Sequence, residues 1–595
     1  MKRIIPLLVL LAGASTASAF YNDFFTNGNA TGIWNDAGNW NTGGIPTNGP
    51  ANAQEGHIWV HNNNTVNINA NANTWILHVG WSGSTGTVNL NSGTLDLQPP
   101  DGQGSTLRMG RDNSAGIFNM AAGTTLQGRN LEMGGWNTSG GAGDVFNHNG
   151  GTANFSWALI GRNGPGTYTM NGGTMNLSNG IEISRNASTA RGTLEVNPGA
   201  TINTGSFASS WSGSIGTTDL AGGTINSTGN VLFAQVGSTA HVVQSAGAWN
   251  ATGDWFEVAP RSGGNATYII TGGTITHTGA QWLVVGANGG SGTLAVSNGS
   301  AITANRLLVG NSSGSAGVVT FSDNASFSTS GELRLGNGGS ASVTQQDSAT
   351  VRGGTLNLYT ADDSYNLQGG TLGINTINMN SGAFTWNGAT LTTREIAGNV
   401  NNGSTDFSDN SGGQNVLLGT QLDVNGDLTS AGANTLDLGN LYLNNGVRFN
   451  QLDVSGTLDL SGGADTLAMN INPYQLRPVS NPTFPDEYGS IPLVNAGTMT
   501  GTFENLPTIL QDTIGWSEFT GAFTSASALP VNTWFLEQTT GASGGVVFHY
   551  KVEGSVPEPG TIGLLAFGLA FIRTARERRR RDCNSPMKLR ATERF

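Results

Sequence analysis

The feature that most restricts this chain is a short apolar segment, ending in glycine, that returns along most of its length. It reads Leu77-His78-Val79-Gly80, Leu107-Arg108-Met109-Gly110, Leu131-Glu132-Met133-Gly134 and Ala158-Leu159-Ile160-Gly161, then Val285-Gly286, Val309-Gly310 and Leu335-Gly336. Weaker copies fall between, as Ile181-Glu182-Ile183-Ser184, Phe207 to Trp211, Val236-Gly237 and Phe256-Glu257-Val258. Ten intervals cover the 256 residues from Gly80 to Gly336, a period of about 25 or 26.

A second marker keeps step with the first: Ser92-Gly93-Thr94, Gly150-Gly151-Thr152, Gly172-Gly173-Thr174, Gly222-Gly223-Thr224, Gly272-Gly273-Thr274 and Gly353-Gly354-Thr355. Between the markers polar and apolar residues alternate, as in Thr87-Val88-Asn89-Leu90 and Thr94-Leu95-Asp96-Leu97. Period two belongs to strands with one face inward, and glycine pairs supply corners where φ turns positive. A unit this short cannot bury its apolar face alone, so units must stack. A propeller blade takes about 40 to 50 residues, whereas a solenoid coil closes with about 20 to 30. The expected fold is therefore all-β: a parallel β-helix (β-solenoid) of ~25-residue coils over residues 51–469. Stacking also aligns like residues, so asparagines and threonines are expected to ladder along the axis.

Flanking segments depart from the repeat. Trp34-Asn35-Asp36-Ala37-Gly38-Asn39-Trp40, with Pro46 following, falls in an N-terminal cap assigned to residues 20–50, where Trp34 and Trp40 are expected to pack. Gly501-Thr502-Phe503-Glu504-Asn505-Leu506-Pro507 and the strand Val546 to Val552 read as a terminal β cap over 470–555. The tryptophan-containing opening resembles that of autotransporter-type and PEP-CTERM repeat proteins. The segment from Phe449 to Leu460 is similar to the last regular rungs of an autotransporter passenger.

Both ends carry targeting patterns. Lys2 and Arg3 precede the apolar stretch Ile4 to Ala12 and then Ala17-Ser18-Ala19. That order marks residues 1–19 as a signal peptide, with Ala17 and Ala19 as the small residues at the cleavage site. At the other end Val556-Pro557-Glu558-Pro559 precedes thirteen uncharged residues, Gly560 to Ile572, and then Arg573, Arg576, Arg578, Arg579, Arg580 and Arg581. The prolines keep the signature extended. The apolar run predicts a short hydrophobic helix, and the arginines should hold the cytoplasmic side. Thirteen helical residues span only about 20 Å against a hydrocarbon core of ~30 Å, so the segment suits a removable handle better than an anchor. Residues 582–595 follow as a basic tail.

Signature, apolar run and basic cluster over 556–581 resemble the PEP-CTERM sorting signal. In that family the signal is recognised by an exosortase, a membrane-embedded cysteine protease that releases its substrates towards the surface or extracellular matrix. The resemblance implies that Val556, Pro557, Glu558 and Pro559 are the recognition residues and an exosortase the processing partner. It also implies transient insertion into the inner membrane. The tail from Asp582 to Phe595 departs from the pattern, which usually ends at the basic cluster.

With residues 1–19 and 573–595 set aside, 14 of the 25 basic and 35 of the 38 acidic residues remain, a net charge of −21. Such a surface disfavours nucleic acid and other polyanions at low salt. The single cysteine, Cys583, lies beyond the sorting signal, so no disulfide is expected. Charged residues are 11% of the chain and glycine 90 of 595, yet the hydrophobic 37% is evenly spaced, unlike a disordered chain.

β-Helices host polysaccharide lyases and hydrolases, whose sites need convergent carboxylates or a carboxylate with a base. Asp362 and Asp363 are adjacent and point to opposite faces of a strand, and Asp406 and Asp409 also diverge. His57 and His61 with Glu55 form a weak ligand set. Gly289-Gly290-Ser291-Gly292-Thr293-Leu294 approaches a calcium nonapeptide but places Thr293 where an aspartate belongs. Arg108, Arg111, Arg162 and Arg185 recur near strand ends, and salt bridges to neighbouring carboxylates account for them. No catalytic residue, metal site or cofactor is expected. These readings describe a secreted structural or adhesive solenoid of the extracellular matrix or biofilm, with polysaccharide as partner. The alternative is a carbohydrate-active β-helix enzyme.

Overall fold

A computed structural model describes residues 21–46, 56–97, 105–135, 143–186 and 188–386, and shorter stretches between 390 and 552. The signal peptide with Ala17 and Ala19, the signature Val556 to Pro559, the hydrophobic helix and the arginine cluster lie outside the described residues. Among the described residues no helix is long and apolar enough to cross a membrane.

The chain winds through three parallel sheets in turn. Gly56–Val60 opens the first, Asn64–Ile68 the second and Ala72–Asn73 the third, before Ile76–Val79 returns to the first and pairs with Gly56–Val60. One inward column of the first sheet runs Leu77, Leu107, Leu131, Ala158, Ile181, Phe207, Val231, Phe256, Leu283, Leu307, Leu333, Leu356 and Ile377. Those twelve steps take 300 residues, a mean turn of 25. The period read from the glycine markers is thus the length of one turn.

Alternation decides which side chains enter the core. In Gly86–Leu90, Val88 and Leu90 are fully buried while Thr87 and Asn89 look outward. Aromatic residues stack between levels of the second sheet, with Phe118, Phe146 and Tyr168 centroids 4.8 and 4.6 Å apart. Phe207, Phe233 and Phe256 surround Trp249 edge to face at 4.8 to 5.7 Å, geometry that adds to their area burial. The buried tyrosine hydroxyls have partners. Tyr168 contacts His148 Nδ1 at 2.9 Å, and Tyr268 and Tyr365 donate to Gln244 and Gln345 at 2.6 and 2.7 Å. His148, Gln244 and Gln345 occupy one register position of the second sheet.

The corner after each first-sheet strand explains the glycine marker. Gly286 has φ +74°, and a Cβ there would lie 2.1 Å from the Ala316 carbonyl oxygen. In the weaker copies this left-handed corner is held by Ser184, Ser210, Ala234 and Ala259, with φ between 56° and 68°. Two expectations shift by register. Phe233 and Ala234, not Val236 and Gly237, take the first-sheet corner of their turn. Thr355 pairs with Glu332 in the first sheet, whereas Thr94, Thr152, Thr174, Thr224 and Thr274 all lie in the third, so Gly353-Gly354 forms a different corner.

At the N-terminal end Tyr21–Phe24 runs parallel to Gly56–Val60. Trp34, Trp40 and Phe25 are buried there, and Trp40 Nε1 donates to the Trp34 carbonyl at 2.8 Å. At the other end Leu452–Asp459 pairs in parallel with Leu422–Asn425 and with Glu487–Thr500. Glu487–Thr500 then meets Gly545–Val552 antiparallel, and that strand pairs with Thr533–Thr539 in the same sense. Parallel winding therefore gives way to an antiparallel sheet.

Candidate functional face

Three sheets give the solenoid three outward faces, and two of them carry asparagine ladders over part of their length. On the third sheet Asn176, Asn203, Asn226 and Asn250 each donate an Nδ2 proton to the asparagine one turn below, beginning at Asn154, all at 2.8 Å. On the second sheet Asn89, Asn119 and Asn147 do the same from Asn67, at 2.7 to 2.9 Å. An amide carries two donor protons and one acceptor oxygen, and the ladder commits much of that capacity to the next turn.

The first sheet differs. Its outward column reads Phe24, Trp59, His78, Arg108, Glu132, Leu159, Glu182, Ala208, Leu232, Glu257, Val284, Leu308, Arg334 and Asn357. Repetition of residue type breaks down along this column while the backbone register persists, and returns only at its next level, where Asn378 donates to Asn357 at 2.6 Å.

Near the N-terminal end the face is aromatic and imidazole-rich. Trp59 stacks on His78 with centroids 3.7 Å apart, and Trp81 lies 4.7 Å from Trp59. His78 Nε2 stands 2.9 Å from His57 Nδ1. Burial first, then the charges of His57, Arg108 and Arg111, hold the His78 imidazole well below its ordinary pKa, so it is neutral. His57 therefore pairs with His78 across turns and not with His61. Among the described residues no three His, Cys, Asp or Glu side chains gather closely enough to hold a metal ion.

The middle of the face is ionic. Arg108 and Arg162 both reach Glu132, at 3.4 and 3.1 Å, Arg185 reaches Glu182, and Arg111 lies 3.5 Å from Asp112. The four arginines singled out in the sequence thus share one face and are salt-bridged. Burial raises the Glu132 and Glu182 carboxyls despite these guanidinium groups.

From Trp255 to Tyr359 the face becomes amphipathic. Val284, Ala287 and Leu308 form a small apolar cluster outside the main core, covered by the half-buried Trp255 and Trp282. The Arg306 and Arg334 guanidinium carbons lie 5.3 and 5.0 Å from the Trp282 ring centre, and Arg334 lies 5.0 Å from Tyr359, within cation–π range. Glu332 grips Arg334 in two bonds of 2.7 and 2.9 Å and accepts from Asn357 at 2.7 Å. Burial pushes the Glu257 carboxyl up to about 7, against the opposing pull of Arg261.

The sequence's candidate acids do not converge. Asp363 is buried and accepts from the backbone amides of Ala341, Tyr359 and Thr360, whereas Asp362 is exposed. Asp406 and Asp409 lie outside the described residues. Trp255, Trp282 and Tyr359 escaped sequence reasoning: each adjoins an ordinary strand, the first two at a position whose residue varies from turn to turn and Tyr359 at the corner that glycine, serine or alanine holds in other turns.

A family model of the PEP-CTERM protein-sorting motif matches residues 555–580. Comparisons with curated proteins and with solved structures give no match. The chain thus carries a PEP-CTERM sorting motif behind a parallel β-solenoid, which implies exosortase processing and export to the cell surface or beyond.

Proposed function

We propose that this protein is a non-catalytic structural or adhesive element of the extracellular matrix, displayed as a β-solenoid and contacting polysaccharide through the outward face of its first sheet. The observation that carries this reading is what gathers on the first face: tryptophan, histidine, arginine and tyrosine, where the second and third faces carry asparagine ladders from Asn67 to Asn147 and from Asn154 to Asn250. An exported chain meets polysaccharide at the cell surface, and aromatic and planar polar side chains suit sugar rings and hydroxyls. The signal peptide at 1–19 and transient membrane insertion of 560–572 complete the route out.

Two measurements test the proposal. Mass spectrometry of the released protein should find Phe20 at the N-terminus and no peptide beyond the Pro557-Glu558-Pro559 region; recovery of Met587 to Phe595 would refute release by cleavage. Incubating the purified protein with surface polysaccharide should leave chain length unchanged, and any shortening would make it an enzyme.

A further inference from the structure

The region from Trp255 to Tyr359 differs from the rest of the face in combining an external apolar cluster with a prearranged polar network. Val284 and Leu308 sit beneath Trp255 and Trp282 instead of facing water. Beside them Glu332, Arg334 and Asn357 are fixed to one another by bonds of 2.7 to 2.9 Å. Tyr359, at 38% exposure, closes the group. From the level of Phe256 to that of Leu356 is four turns, or about 19 Å along the axis.

Charge selects among polymers. Arg334 is neutralised by Glu332, and Arg261 opposes Glu257. Arg306 is exposed and rests on Trp282, with no carboxylate in ion-pair distance among the described residues. Arg306, Arg334 and Glu332 together thus carry a net charge of +1, on a strongly acidic protein whose overall field still repels polyanions. Locked guanidinium and carboxylate groups offer paired donors and acceptors with little ordering left to do, which suits vicinal hydroxyls.

We propose that Trp255, Trp282, Arg306, Glu332, Arg334 and Tyr359 form a binding strip for a neutral, extended polysaccharide lying along the solenoid axis. This deepens the polysaccharide-contacting reading above and rests on it. Several sugar rings follow the turns, their apolar faces against the aromatic residues and their hydroxyls on Glu332 and Arg334. The buried Asn357 holds Glu332 in place and itself accepts from Asn378.

Calorimetric titration of the mature exported protein with cellohexaose, and separately with hexagalacturonate, tests the strip. Cellohexaose should bind, and its affinity should change less than about twofold between roughly 0.05 and 0.5 M salt. Trp282→Ala should lower that affinity about tenfold or more, and Tyr359→Ala about threefold. Tyr359 is exposed, so its variant tests the strip even if Trp282→Ala disturbs the fold; unchanged melting temperature confirms that the Tyr359 effect is local. Tighter, salt-sensitive binding of hexagalacturonate would overturn the neutral ligand class. Binding of cellohexaose with full affinity by Tyr359→Ala and Arg334→Ala would overturn the strip and leave polysaccharide contact elsewhere standing. Failure of both sugars to bind would remove the strip; failure of surface polysaccharide to bind as well would remove the broader reading.

Discussion

The third sheet and the first use one backbone register for opposite purposes. On the third, Asn154, Asn176, Asn203, Asn226 and Asn250 repeat one side chain and bind one another along the axis. On the first, the same turns carry Leu159, Glu182, Ala208, Leu232 and Glu257, with no residue repeated from one level to the next. Identity between turns contributes cohesion, because each amide fits its neighbour. Variety between turns gives up that uniform ladder for individual contacts such as the Arg108–Glu132–Arg162 bridge and the Trp59–His78 stack. Sameness marks the ladder, and difference marks the face proposed to meet polysaccharide.

Substitutions can break this contrast or sharpen it. The largest effect is expected where turns touch. Gly286→Ala combines a left-handed φ with a Cβ inside contact distance of Ala316, and should destabilise by about 3 kcal/mol or more. Chemical denaturation measures this; a loss near zero would show that turns slide past one another easily. Next comes Asn203→Ala, which strips partners from Asn176 Oδ1 and Asn226 Nδ2. It should cost about 1–2 kcal/mol and leave sugar affinity unchanged. An unaltered melting temperature would reduce the ladder to decoration.

Glu257→Gln reverses the sign. The folded carboxyl titrates at about 7 against an ordinary 4.5, so the folded state holds its proton where the unfolded chain has lost it. Stability is then fully present below about 4.5, falls as pH rises towards 7, and is level above. Linkage of 1.36 kcal/mol per unit, moderated by partial solvation, gives roughly 1–2 kcal/mol. The glutamine variant should therefore match the parent at pH 4 and exceed it at pH 8, by thermal unfolding at both values. Equal stability at pH 8 would show that Arg261 compensates the burial fully. Tyr359→Ala belongs at the bottom of the scale, within about 0.5 kcal/mol, and separates a contact residue from a structural one.

The scaffold was legible because it repeats. Glycine at one corner and threonine at another recur often enough that the turn length follows from counting, even though Ser184 and Ala234 occupy the glycine corner in some turns. Exceptions misled the phase locally. Gly237 lies close enough to the expected position to be mistaken for the corner that Ala234 holds, and Gly353-Gly354 repeats the composition of a corner it does not form. The outward strip was hidden by its own hydrophobicity. Leu283-Val284-Val285 and Leu307-Leu308-Val309 are unbroken apolar runs, so alternation cannot say which residue leaves the core. Only the register shows Val284 and Leu308 on the outside. The Arg108–Glu132–Arg162 bridge joins residues from three turns, and no local spacing announces it.

A mean turn of 25 residues, held to its neighbours only by strands above and below, makes length a heritable quantity separate from everything else. Duplicating one turn in frame lengthens the protein by about 4.8 Å and leaves both ends, and every other turn, as they were. The length of the solenoid can then be set by a count of copies, in the way a ladder's height is set by its rungs, without redesign of either end.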